Sequence, residues 1–282
     1  MAAIRITPSG AGFGAGIMGV DLSRALDGET LGAVKAAFAR YGIVWFPDQP
    51  LDHDQLEALT LQFGDFGEDP YIAPLADRPH ILEVRREPDE KVSVFGSAWH
   101  SDWSFQETPP AATILHAKEV PPVGGDTLYA DTAAAFAALG GGERAKLERL
   151  SAVHSATRPY GATGFYATEK GRKGMTIIPS TQADKTHVHP LVRAHPVTGA
   201  KCLFVNPVYT IGIEGMDEAE GAKLLGRLFA HMTSEAFVYR HVWKADMLVM
   251  WDNARLLHNA TGGYDGHRRV MHRTTVAGER PM

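Results

Sequence analysis

Leu248-Val249-Met250-Trp251-Asp252-Asn253, then His258, then Arg269-Val270-Met271-His272-Arg273-Thr274 is the stretch whose reading decides the fold. The first run is apolar and ends in Asp-Asn, which reads as a buried strand entering a turn. In the second run, side chains two apart share one face of an extended chain, so Arg269, Met271 and Arg273 point the same way. Two arginines on one face are costly to bury unless an anion meets them. Solvated arginines on a surface strand would explain the charges, but not their place after a histidine and a buried strand.

Outward from there, short strands dominate. Ile4–Thr7, Ile43–Phe46, His80–Val84, Thr113–Ala117, Gly125–Ala130, Leu191–Ala194, Lys201–Asn206 and Val238–His241 carry β-branched or aromatic residues between turn signals. Helical spacing predicts Ala25–Arg40, Asp52–Phe63, Thr132–Leu150 (broken by Gly140-Gly141-Gly142) and Asp217–Met232. Tyr160–Thr186 is polar and glycine-rich without a period, and a loop of that length inside a compact domain reads as a lid. No repeat or linker interrupts the chain. The pattern predicts one domain over residues 1–282, mainly β with peripheral helices (α+β), built on a sandwich or jelly roll.

Composition narrows the function. The 282 residues carry 13 histidines, a single cysteine (Cys202) and a net charge of −5, with 44% hydrophobic residues. One cysteine excludes a disulfide framework and a thiolate metal cluster, which fits the cytoplasm. The acidic balance gives no grip on nucleic acid or anionic membrane, and no membrane span or leader is expected. Gly14-Ala15-Gly16-Ile17-Met18-Gly19 matches G-x-G-x-x-G, but no strand–helix context surrounds it, so it reads as a glycine-rich loop at a sheet edge.

Trp99-His100-Ser101-Asp102-Trp103 places an imidazole and a carboxylate two apart, on one face of an extended segment. With a third ligand from a distant strand they would form a 2-His-1-carboxylate facial set, the arrangement that leaves coordination sites open on Fe(II). Alone, H-x-D is a weak signal.

Together with Glu107-Thr108-Pro109-Pro110, Gly124-Gly125-Asp126-Thr127, His195-Pro196-Val197-Thr198-Gly199, Leu203-Phe204-Val205-Asn206, Trp251-Asp252-Asn253, His258 and Arg269–Arg273, these residues resemble the taurine dioxygenase (TauD/TfdA) family, in order from about Gly14 to Pro281. The resemblance implies a double-stranded β-helix core, Fe(II) and dioxygen as cofactors, and 2-oxoglutarate as cosubstrate. It implies metal ligands at His100, Asp102 and His258. It places Arg269 and Thr127 on the far carboxylate of 2-oxoglutarate, and Trp251 as an aromatic wall beside the iron. Arg273 resembles the arginine that faces both the metal-bound end and the substrate's acidic group.

The implied reaction hydroxylates a small organic anion (an aryloxyalkanoate, alkyl sulfate or sulfonate) and releases succinate and CO2. Taurine itself fits less well. The position of its sulfonate-binding histidine holds Asp69, and that of its amine-binding asparagine holds Gly96; Tyr209 keeps the pocket partly apolar. Taurine dioxygenase proper is one alternative. A zinc hydrolase on the same three ligands, or a non-catalytic jelly-roll binding module, are alternatives of another class. The expected assembly is a homo-oligomer, dimer or tetramer.

Overall fold

The structure, a computed structural model, describes residues 3–282. In chain order the strands are β1 (Arg5–Pro8), β2 (Ala15–Met18), β3 (Ile43–Phe46), β4 (Leu82–Arg86), β5 (Ala112–Glu119), β6 (Thr127–Asp131), β7 (Ser151–Ser155), β8 (Thr186–Pro190), β9 (Val192–Ala194), β10 (Lys201–Leu203), β11 (Thr210–Ile213), β12 (Val238–His241), β13 (Leu248–Asp252), β14 (Leu256–Ala260) and β15 (Arg269–Val276). The helices are α1 (Gly28–Tyr41), α2 (His53–Leu61), α3 (Thr132–Ala138), α4 (Gly141–Leu147), α5 (Thr157–Tyr160), α6 (Phe165–Thr168) and α7 (Glu218–Met232).

The alternation of the C-terminal strands builds the centre. Seven strands pair in the order β1-β2-β3-β13-β5-β15-β4. Leu248 and Met250 of β13 face outward onto Val34 and Ala37 of α1 and Leu56 and Leu59 of α2. Val249 and Trp251 face inward, packing with Leu115, Tyr129, Leu256 and Met271. A second sheet, β12-β6-β14, supplies Tyr129 and Leu256 to that inner layer. Its other face turns Ala130 and Leu257 towards Ala135, Phe136, Leu225 and Leu228 of α3 and α7. Helices, sheet, sheet and helices thus stack as a jelly-roll sandwich, as the strand census predicts. Each fully buried large apolar side chain contributes about 1.5–3 kcal/mol to that stack.

Several elements differ from expectation for local reasons. Helix α1 starts at Gly28, not Ala25, because the Asp27 carboxylate caps it by accepting from Thr30 N–H at 2.7 Å. The run 132–150, by contrast, divides into α3 and α4 at Gly140 as the glycine break predicts, and the second helix ends at Leu147. The glycine-rich loop expected at 14–19 contains strand β2, which runs parallel to β3. Gly16 is needed there because a Cβ would lie 2.8 Å from Trp45 Nε1. Strands β7, β8, β11 and β14 went unread. The 160–186 segment is not without structure: Tyr160, Met175 and Ala183 are buried with Tyr71 and Trp103, and α6 lies within it. Among the described residues no helix is long and apolar enough to cross a membrane.

Candidate active site

His258 sits in the middle of β14, and His100 lies opposite it on the segment leading to β5, joined by an isolated antiparallel bridge. The bridge sets the imidazoles side by side, with centroids 4.1 Å apart. Asp102 reaches the same point: its Oδ1 is 3.7 Å from His100 Nε2 and 3.8 Å from His258 Nε2. Metal bonds of about 2.0–2.2 Å to nitrogen and oxygen suit one ion shared by atoms so spaced. All three side chains are buried.

The protonation states favour a cation. His100 Nδ1 donates to the Ala98 carbonyl at 2.7 Å, which leaves Nε2 as the lone-pair donor. Burial lowers the His100 pKa and, aided by His100 and Arg273, holds His258 at about 3. Burial opposes ionisation of Asp102, but Arg273, the two histidines and the Thr113 hydroxyl outweigh it and hold the carboxyl at about 2. Two neutral imidazoles and one carboxylate are therefore ready for a divalent ion.

Residues around the triad fix its geometry. Thr113 donates to Asp102 Oδ2 at 2.6 Å, while Asn253 donates to Thr113 at 2.9 Å. Ser101 donates to the Asn253 carbonyl at 2.7 Å. His195 donates to Asp252 at 2.5 Å and accepts from the Val197 and Thr198 backbone, so it fixes the Trp251-Asp252-Asn253 turn. Trp103 holds a left-handed φ of 50°, an uncommon state for a bulky residue, immediately after Asp102. That turn lays its indole under Arg273, 5.0 Å from the guanidinium carbon.

Arg269 points into the same interior from β15. It is 6% exposed, and among the described residues its Nε has no partner and its guanidinium makes one hydrogen bond, 3.3 Å to the Gly125 carbonyl. Burial lowers its pKa. A buried guanidinium this short of acceptors fits a carboxylate ligand. Trp243 lies beside it at 5.8 Å and donates to Thr127 Oγ1 at 3.0 Å, so Arg269 and Thr127 flank one indole. A Cβ on Gly125 would lie 3.3 Å from Arg269 Nε, and one on Gly124 would meet the Gly263 carbonyl at 2.5 Å. The Gly-Gly pair keeps that corner open. Trp251 stands 4.8 Å from the His258 ring, and its Nε1 is buried without a partner among the described residues.

The residues read as facing the substrate are also close by, but arranged differently. Arg273 pairs with Asp69 and, at 3.3 Å, with Asp102, which raise its pKa against the effect of burial. Asp69 further accepts from Trp103 Nε1 at 2.5 Å and Thr275 Oγ1 at 3.1 Å. The two terminal nitrogens of Arg273 thus meet carboxylates, while its buried Nε has no partner among the described residues. Tyr209 stands with its ring 6.2 Å from that of His100. Gly96 has φ +75°, and a Cβ there would lie 3.5 Å from His100 Cε1. Sequence reading missed Tyr129, Thr113 and Trp243. Tyr129 is fully buried next to His258 and Trp251, with its hydroxyl unpartnered among the described residues. No motif marks these three; Thr113 and Tyr129 are placed by strand register and Trp243 by the segment after β12.

Comparison with known proteins agrees with this geometry. Residues 5–275 match the Taurine catabolism dioxygenase TauD, TfdA family. The chain belongs to the TauD/TfdA family. It is 33% identical to the alpha-ketoglutarate-dependent 2,4-dichlorophenoxyacetate dioxygenase of Cupriavidus pinatubonensis, over 94% of each chain. It is 31% identical to the alpha-ketoglutarate-dependent sulfate ester dioxygenase of Pseudomonas putida, covering 98% of this chain and 90% of that one. A crystal structure of a taurine dioxygenase from Burkholderia xenovorans superposes with a TM-score of 0.81 at 30% identity, covering 100% of this chain and 91% of that one. As a member of the family, the protein is an oxidoreductase dependent on Fe(II), 2-oxoglutarate and dioxygen. The donor set and the acceptor-starved Arg269 fit that requirement. Neither the zinc-hydrolase reading nor the silent binding module accounts for Arg269 buried near His100, Asp102 and His258.

Proposed function

We propose that the protein hydroxylates a small organic anion with an apolar body, of the aryloxyalkanoate, alkyl sulfate or non-taurine sulfonate kind. The observation that carries this reading is a cavity of about 270 Å³ that opens on His100 and is walled by Phe95, Tyr160, Phe165, Tyr166, Val208 and Tyr209. A cavity of about 150 Å³ already admits benzene, so a substituted ring or branched alkyl chain fits. Relatives whose names specify a chlorinated phenoxyacetate or a sulfate ester support the same size class.

His100, Asp102 and His258 would hold the iron, and Arg269 and Thr127 the far carboxylate of 2-oxoglutarate. When bound, these groups supply the dioxygen chemistry that couples decarboxylation to succinate with hydroxyl insertion into a C–H bond. The protein's own work is positioning. Arg269 fixes the cosubstrate's direction, Asp102 stays ionised under Arg273 and Thr113, and the aromatic wall excludes water from the reacting carbon. Tyr160, Phe165 and Tyr166 come from the 160–186 segment, which supports its role as a lid over the site. Taurine finds no side chain at Gly96, and Asp69 offers a sulfonate only like charge. The small-molecule partner and the single buried Cys202 fit a cytoplasmic enzyme.

The test is a panel of anions, taurine included, scored by substrate-stimulated 2-oxoglutarate consumption. An aryl or alkyl anion should give the highest kcat/KM. Taurine as the best substrate would overturn the substrate reading.

A further inference from the structure

Arg86 on β4 and Arg269 on β15 are direct register partners, so both side chains leave the same face of the large sheet. That face is the inner one: Val84 and Met271, the next pair along it, pack in the layer between the two sheets. Like charges set opposite one another on paired strands are destabilising. On the outer face of the same two strands the arginines are matched by acids. Arg85 meets Glu83 and Glu87 at 3.2 and 3.3 Å, and Arg268 meets Glu87 and Glu119 at 3.2 and 2.7 Å. The inner pair has no such supply.

Arg86 is only partly satisfied. Its Nη2 donates to Asp265 at 3.0 Å and to the Glu90 carbonyl at 3.3 Å. The Asp265 side chain is 82% exposed, so that ion pair is screened by solvent. The Nη1 of Arg86 is buried without a partner among the described residues, as is the Nε of Arg269. Both arginines line one gap of about 10 Å³, together with Phe95 and Tyr264, whose ring lies 5.4 Å from the Arg86 guanidinium carbon. A gap of that size has room for a single oxygen atom. Phe95 also walls the cavity on His100, so the gap adjoins the candidate centre. Other charges at this corner are already paired, Arg172 with Glu169 at 2.7 Å and Asp126 with Arg240 at 3.0 Å.

We propose that Arg86 is a second guanidinium for the far carboxylate of 2-oxoglutarate, taking one of its oxygens in the gap shared with Arg269. Arg269 and Thr127 keep the role given to them above, and Arg86 adds to it. The carboxylate then relieves the repulsion between two facing cations as it binds. A keto acid without that carboxylate leaves two buried guanidinium groups unmet, so Arg86 makes the site selective for a dicarboxylate. This assignment rests on the oxygenase reading of the same centre.

The experiment measures binding apart from turnover. Calorimetry on Mn(II)-loaded protein compares 2-oxoglutarate with 2-oxobutyrate, which is the same keto acid without the far carboxylate, titrated by competition. Arg86→Gln should weaken 2-oxoglutarate at least tenfold while changing 2-oxobutyrate and Mn(II) affinity less than twofold. Arg86→Lys should recover part of the loss. Asp265 competes for Arg86 from the surface, so Asp265→Asn should tighten 2-oxoglutarate two- to fivefold, and should do nothing when Arg86 is already Gln. Equal 2-oxoglutarate affinity in wild type and Arg86→Gln would overturn the proposal, and so would a parallel loss for both keto acids, which marks a scaffold role. If Arg86→Gln does not fold, unchanged affinity in both Arg86→Lys and Asp265→Asn overturns it equally. No binding of 2-oxoglutarate by the wild type would overturn the oxygenase reading along with this one. Tight binding that ignores Arg86 overturns this one alone.

Discussion

His100 and His258 exchange both of their backbone hydrogen bonds: His100 N–H donates to the His258 carbonyl at 3.0 Å, and His258 N–H donates back at 2.8 Å. The spacing of the two imidazoles is therefore set by main chain, not by the side chains themselves. His100→Ala and His258→Ala should each keep far-UV circular dichroism and one cooperative unfolding transition. Mn(II) affinity should fall by more than about 100-fold, since even groups that merely orient a ligand are worth roughly 10–100-fold. Wild-type Mn(II) affinity in either variant would remove that residue from the ligand set.

Asp69 is the residue that keeps Arg273 in place. Asp69→Asn leaves that buried guanidinium with Asp102 alone. Breaking a buried pair from one side costs about 3–5 kcal/mol, so the urea midpoint should drop with little change in slope. Asp69→Ala should lower it further, because Trp103 and Thr275 lose their acceptor as well. An unchanged midpoint would show that solvent already separates the two charges.

Leu248–Trp251 was legible because a strand buried on both faces is a short, continuous apolar run closed by a turn signal. Arg269–Val276 was legible because the two-residue spacing of Arg269, Met271 and Arg273 pointed to the interior site. Strand β14 was not legible, although it holds His258: Leu256-Leu257-His258-Asn259-Ala260 is short, and its inward residues include the polar His258 itself. Strand β8 carries His187, His189 and Pro190 and among the described residues pairs only with β7, so no apolar pattern marks it. At the site, the meeting of His100 and Asp102 was readable because the two lie two apart on an extended segment. The contacts of Arg273 were not, because Asp69 lies 204 residues from it in sequence.

Arg269→Ala should weaken 2-oxoglutarate binding to Mn(II)-loaded protein by about 2–4 kcal/mol, the scale for losing a desolvated charge-assisted pair. Arg269→Lys should also lose affinity, because an ammonium cannot reproduce the planar fork. Calorimetric titration checks both. Unchanged affinity in both variants would assign the carboxylate to another residue.

Acid should destabilise the fold through buried neutral histidines. Burial, reinforced by His189, holds His154 at about 3; burial and Lys118 hold His116 at about 4, and burial alone holds His241 at about 4. The unfolded imidazole titrates near 6.5. Between about pH 6.5 and pH 4 the unfolded chain therefore binds protons that the folded chain does not. Stability is fully present above that window and is lost as pH falls through it, on the order of 3 kcal/mol per histidine. Denaturant midpoints across the window measure the slope, and His241→Gln should flatten it. A flat wild-type profile would contradict the burial of these rings as neutral groups.

The most direct test of the account is anaerobic titration of Fe(II)-loaded protein with 2-oxoglutarate, followed by visible absorption. Two adjacent open positions on the metal, with Arg269 holding the far carboxylate, predict a weak metal-to-ligand charge-transfer band that saturates with cosubstrate. The band should be lost in His258→Ala and should need much more 2-oxoglutarate in Arg269→Ala. No band in the wild type, or an identical band in His258→Ala, would contradict the assignment of this centre.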